Sequence, residues 1–149
     1  WSDEEISVVV AHELAHHVHH DLWATLALDV LVLAGGFWLA GAARAWLGGP
    51  GAGPAGGLDM LPLVALFVSG VWILASPVRH ALSRRQERRA DRFALELTGS
   101  AEAFQAAIRR LAAQHLAEER PSTLTRLFYH RHPTASERLE TARVFDETN

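Results

Sequence analysis

The chain has 149 residues, 49% of them hydrophobic and 21% charged, with a formal net charge of −3. That length suits one domain with a sizeable core. The apolar fraction excludes intrinsic disorder, the lack of cysteine excludes a disulfide scaffold or thiolate metal site, and the mild negative charge argues against a nucleic-acid partner.

All 14 basic residues are arginine, and the sole methionine is Met60, so the chain is expected to be a C-terminal piece of a longer protein. Asp3, Glu4 and Glu5 stand where a signal peptide would carry basic residues. Ser2 followed by these acids reads instead as a helix start, with Ser2 and Glu5 in capping-box spacing and no breaker from Ile6 to about His20. Leu22 to Ala43 is then apolar except for Asp29; at ~1.5 Å per residue it reaches roughly 33 Å, enough to cross a bilayer's hydrocarbon core. Residues 48–57, GGPGAGPAGG, hold six of the 11 glycines and two prolines, which predicts a flexible connection. Met60 to Val78 follows, 19 residues without a charge between Asp59 and Arg79 and long enough to span, so the two segments read as a membrane hairpin. Arginines at 79, 84, 85, 88, 89 and 92 crowd the end of the second span, whereas the connection has none; the positive-inside rule puts both hairpin ends in the cytoplasm, with Arg44 dissenting.

Ser83 to Leu97 is helical and ends at Gly99, a C-cap. Ser100 or a neighbour caps a helix whose apolar stripe is Ala103, Phe104, Ala107, Ile108 and Leu111. Pro121 opens a further segment, and Pro133-Thr134 leads into a last helix carrying Leu139, Ala142 and Val144. No repeat and no strand-like alternation is present, so the fold class is all-α.

His12-Glu13-Leu14-Ala15-His16 is the sharpest chemical feature. Residues four apart share a helix face, so both imidazoles can reach one ion; imidazole suits Zn²⁺, and Glu13 falls beside the open coordination position as a general base. The bland alternative is a polar face in a histidine-rich run that includes His17, His19 and His20. Glu87 and Asp91, four apart downstream, offer a third ligand and a carboxylate to orient a ligand imidazole, or else neutralise Arg84, Arg88 and Arg92 in a solvated ladder. His132-Pro133 with Arg138 offers an oxyanion stabiliser, provided the last helix starts by Thr134.

Together these motifs resemble the integral-membrane zinc metallopeptidases of the gluzincin type, which include the type I CAAX prenyl endopeptidase and the bacterial heat-shock membrane protease. SDEEISVVVAHELAHH is similar to the family's zinc helix, with Asp21 where many members have an acid. SRRQERRADRFALELTG is similar to its third-ligand helix and FYHRHPTASERL to its closing His-Pro and Arg motif, the match lying close to the CAAX prenyl protease branch. The 71-residue step from His16 to Glu87 leaves room for a hairpin. Arg131 departs from the family's usual Ser or Thr, and His130 adds an imidazole.

The resemblance implies zincin-like helices with an inserted transmembrane hairpin and Zn²⁺ held by His12, His16 and Glu87. It implies Glu13 as base and acid, Asp91 orienting a ligand histidine, and His132 and Arg138 facing the substrate. The organisation expected is a zinc-binding helix over 1–20, a span within 21–47, the connection 48–57, a second span within 58–78 and a cytoplasmic helical part over 79–149. Asp29 would line a membrane-embedded chamber or mark a helix end bent to the interface.

The function expected is a membrane-embedded zinc endopeptidase acting on a peptide or protein near the cytoplasmic face of a bilayer. The Ala- and Arg-rich composition points to a bacterial source. Rival readings are a signalling protease that cleaves one regulator, a catalytically silent zinc-binding membrane module, and a soluble metalloprotease with two buried helices. An intact Glu13 argues against the silent module, and the 19-residue uncharged run argues against the soluble enzyme.

Overall fold

A computed structural model describes residues 1–47, 60–115 and 122–148. The connection expected at 48–57 lies outside them, as does Pro121, although the segment expected to open there is described from Ser122. The described residues are helical with no strand: α1 (Asp3–Val18), α2 (Asp21–Leu47), α3 (Leu61–Thr98), α4 (Ala101–His115), α5 (Thr123–Tyr129) and α6 (Ala135–Thr148). Two compact units result, one made of Trp1–Trp23 with His80–Asn149 and the other of Ala24–Arg79.

In the first unit α1 starts on the capping box expected from its sequence. The Glu5 amide donates to Ser2 Oγ at 3.1 Å, and the Ser2 amide to Glu5 Oε2 at 2.9 Å. The helix stops at Val18, two residues before the predicted limit: the His19 amide still reaches the Ala15 carbonyl, but the His20 amide turns back to the His17 carbonyl three residues away. His20 then takes a left-handed conformation, φ 56°, rare for a side chain with a Cβ, and the chain restarts at Asp21. Gly99 ends α3 as predicted, at φ 64° with its amide on the Leu95 carbonyl, and Ser100 Oγ accepts the Ala103 amide at the start of α4.

The apolar stripe of α4 is the centre of the core. Phe104, Ala107 and Ile108 are buried with Val8 and Ala11 of α1, Ala94 and Leu95 of α3 and Ala142 of α6. Leu139 and Phe145 pack against this cluster from α6, whereas Val144 is exposed. Leu139 and Ala142 thus face inward as expected, and Phe145 takes the place expected of Val144.

The second unit holds the rest of α2 and the first part of α3. Both helices are long and apolar enough to cross a membrane. The sequence divides α3 into a span ending at Val78 and a new helix from Ser83, but the helix runs unbroken through Pro77. Proline has no N–H to give the carbonyl four residues back, and Ser76 Oγ supplies the substitute, donating to the Ile73 carbonyl at 2.7 Å. Asp29 is not left facing an empty polar lining: Arg79 Nε donates to its Oδ1 at 2.7 Å, and the same guanidinium lies 3.7 Å from the Trp72 ring centroid. Gly36 permits a close approach of α2 to α3, since a Cβ there would meet Val68 Cα at 2.8 Å.

Phe104 is fully buried. Truncating it should therefore lower the unfolding free energy by about 3–5 kcal/mol. Denaturant unfolding of Phe104→Ala beside the parent chain checks this, and a loss below about 1 kcal/mol would place the core elsewhere.

Candidate metal centre

The HExxH spacing does on α1 what helical geometry requires. His12 and His16 sit one turn apart on the same face, their rings edge-to-face with centroids 5.1 Å apart. Glu87, on α3, comes up against both: its Oε2 lies 3.4 Å from His12 Nε2 and its Oε1 3.8 Å from His16 Nε2. One donor atom from each of the three residues falls within 4.8 Å of the others. Ligands sharing a tetrahedral zinc at ~2.1 Å stand about 3.4 Å apart, so two imidazole nitrogens and a carboxylate oxygen at these spacings fit Zn²⁺ with a fourth position open.

Each imidazole turns its other nitrogen to a buried carboxylate. His12 Nδ1 lies 3.0 Å from Asp91 Oδ1, although the approach falls short of hydrogen-bond alignment. His16 Nδ1 makes a well-formed 2.8 Å hydrogen bond with Asp21 Oδ2. Asp91 is in turn gripped by Arg138, whose Nε donates to Oδ2 at 2.9 Å and Nη2 to Oδ1 at 2.5 Å. Asp21 is paired with Arg89, and its backbone carbonyl accepts Gln86 Nε2 at 3.1 Å. The partners of Glu87 and Asp91 thus come from α1 and the C-terminal residues, which sets aside the solvated ladder with neighbouring arginines.

His132 reaches Glu87 from the far side, Nδ1 to Oε1 at 3.0 Å, while staying two-thirds exposed. Two backbone anchors on α3 hold its segment: His80 Nδ1 donates to the Leu127 carbonyl at 3.3 Å and Arg84 to the His130 carbonyl at 2.7 Å. Thr134 and Glu137 exchange side-chain and amide bonds at the start of α6, and that helix carries Arg138 to Asp91. Glu13, His132 and Arg138 join the three potential ligands around a cleft of about 440 Å³, whose opposite wall includes Val8, Val9, Ala107, Ile108 and Leu111.

Charge follows this geometry. Burial alone would push His12 down, but the adjacent carboxylates of Asp91 and Glu87 outweigh it and raise its pKa to about 9. Burial would likewise raise Glu87, yet His12 and His132 hold it well below the usual carboxylate range. His132 is raised mainly by its bond to Glu87, with burial opposing.

Sequence reasoning placed His12, Glu13, His16, Glu87, Asp91, His132 and Arg138, and the structure brings all seven together. It gave no role to Asp21, Gln86, Arg89, His80 or Arg84. The one available signal was an acid five residues after His16, just past the end of the zinc-type helix.

Residues 1–145 match peptidase family M48, and the chain belongs to that family. It is 30% identical over 148 residues to a Bacillus subtilis (strain 168) protein named uncharacterized metalloprotease YhfN, covering 94% of this chain and 34% of that protein. It is 33% identical over 128 residues to a protein of Aeropyrum pernix named protease HtpX homolog, covering 78% of this chain and 38% of that one. The chain therefore spans about a third of the length of these relatives.

The raised His12 gives the metal-free fold a stabilisation that is complete below its ordinary pKa of 6.5 and is lost as pH rises through about 9. With a chelator present, the melting temperature should fall between about pH 6 and about pH 10, and His12→Gln should flatten that fall. An equal fall in both proteins would show that the proton is not held at His12.

Proposed function

We propose that this chain carries the catalytic centre of a membrane-embedded zinc endopeptidase, with His12, His16 and Glu87 as metal ligands. The observation that carries the reading is the convergence of their three donor atoms within 4.8 Å, on the same cleft as Glu13. A zinc ion held there would supply Lewis acidity toward the scissile carbonyl and the attacking water.

The protein's own groups do the rest. Glu13, exposed to the cleft, takes a proton from the attacking water and hands it to the leaving amine, so that a C–O bond forms as the C–N bond breaks. His132 and Arg138 border the same space as hydrogen-bond donors to the developing oxyanion. Two of Arg138's nitrogens are committed to Asp91, which fixes the plane in which the third is presented. Asp91 keeps the His12 ring in place through Nδ1.

The wall of Val8, Val9, Ala107, Ile108 and Leu111 favours peptides with an apolar side chain beside the cleaved bond, in keeping with the CAAX prenyl protease-like character of the motifs. Membrane embedding is supported by exposure: only 11% of the most apolar stretch of α2, and none of that of α3, is buried, whereas the core helix of a soluble protein would be covered. The arginines following α3's apolar part favour a centre on the cytoplasmic side.

Zinc content and cleavage of apolar-rich fluorogenic peptides by the detergent-purified full-length protein test the chemistry. Glu13→Gln should keep about one zinc per chain and lose activity by ~10²–10⁴. Glu87→Ala should lose zinc. Full activity in Glu13→Gln would overturn the mechanism, and a zinc-loaded parent that cleaves nothing would favour a silent zinc-binding module.

Topology has its own test, helped by the absence of cysteine from the chain. On an otherwise cysteine-free protein, Gly53→Cys should react with a membrane-impermeant thiol reagent added to intact cells, and Ser83→Cys should not. The reverse pattern would move the centre to the outer face.

A further inference from the structure

Asp21 is 5% exposed, and all three of its oxygens are engaged by a different residue: Oδ2 by His16, Oδ1 by Arg89 and the carbonyl by Gln86. A buried carboxylate is expensive unless its lone pairs are satisfied, so this many partners on one residue needs a reason. The turn that delivers Asp21 is itself strained, since His20 occupies the left-handed region just before it. That turn folds the chain back within five residues, so that a carboxylate beyond the end of α1 meets an imidazole on its last turn.

We infer that Asp21, braced by Arg89 and Gln86, is a positioning residue for the metal centre that fixes the tautomer and orientation of His16. This rests on the reading of His12, His16 and Glu87 as a metal site. The arrangement parallels the other arm. His12 stands on Asp91, which is paired with Arg138; His16 stands on Asp21, which is paired with Arg89. Both imidazoles turn Nδ1 to the carboxylate and Nε2 to Glu87. The His16 arm is the better formed, because only its Nδ1 meets hydrogen-bond alignment. A carboxylate on Nδ1 holds the proton there, leaves the Nε2 lone pair as the ligand and raises its basicity. The arginine stops the Asp21 carboxylate rotating, and the Gln86 bond to the carbonyl locks the backbone from which it projects.

The inference is tested on the full-length, detergent-purified protein by competition for zinc with a chromophoric chelator, and by the visible spectrum after cobalt substitution. Metal-free melting curves report folding separately. Asp21→Asn, nearly the same shape without the charge, should weaken zinc affinity 10–100-fold and alter the cobalt bands. Arg89→Gln, at a half-exposed side chain, should weaken it less, with Arg89→Lys restoring part of the loss. Parent-like affinity and spectrum in Asp21→Asn, beside loss of zinc in Glu87→Ala, would overturn the positioning role while leaving the metal site intact. A parent protein that binds no zinc would instead remove the metal site on which the role depends. If Asp21→Asn fails to fold, Arg89→Gln decides: unchanged affinity and spectrum there would reduce Asp21 to an anchor of the turn.

Discussion

The buried carboxylate of Glu87 is the constraint around which the first unit is arranged. Glu87 is 8% exposed, two further acids are buried near it, Asp91 at 1% and Asp21 at 5%, and each of the three must be compensated. Asp91 and Asp21 are each matched by an arginine, Arg138 and Arg89. Glu87 is met, among the described residues, by imidazoles only: His12, His16 and His132. An imidazole compensates an anion only while it holds a proton, and that proton can be exchanged for a metal ion. The two outer acids are neutralised permanently, while the charge at the centre stays available to a dication.

That centre is assembled along one face of α3. His80, Arg84, Glu87 and Asp91 recur at helical spacing, and they hold in turn the Leu127 carbonyl, the His130 carbonyl, the His132 ring and the Arg138 guanidinium. Successive turns of one helix thus set the register of the chain from α5 to α6, where Leu124 and Tyr129 are exposed rather than packed into the core. Single hydrogen bonds contribute modestly, but each of these groups is at least partly removed from water, and breaking one leaves its partner unsatisfied. Slippage of the stretch would therefore disturb several bonds together, which is how a loop residue such as His132 can be held on a buried acid.

Much of this was legible in the sequence because it obeys periodicity. The capping box at Ser2 and Glu5, the His12/His16 pair, the Gly99 stop and the Phe104 stripe all follow from residue spacing within one helix. Illegible features depend on contacts between elements or on local exceptions. The sequence pattern divides α3 between Val78 and Ser83, whereas the helix is continuous, with the Ser76 hydroxyl on the Ile73 carbonyl that Pro77 cannot serve. His20 gives no hint of a left-handed turn, because Gly or Asn is the usual residue there. Arg138 reads as facing substrate; in the fold two of its nitrogens grip Asp91, a pairing across 47 residues that no local pattern announces. Asp29 reads as a charge in need of water, and its partner Arg79 is visible only once the two helices are placed.

The arginines behind Asp91 and Asp21 also set how those acids meet the imidazoles. A carboxylate paired with a guanidinium is held in one orientation, so it faces the imidazole Nδ1 in a fixed geometry. With a metal bound, each imidazole would present its lone pair on the nitrogen facing Glu87. The cost of fixing Arg138 is shared with the core: its guanidinium lies 5.9 Å from the ring centroid of Phe104, the largest fully buried side chain. The side chain that organises the packing of α1, α4 and α6 thereby also backs the arginine that tunes His12, which ties the stability of the core to the chemistry of the cleft.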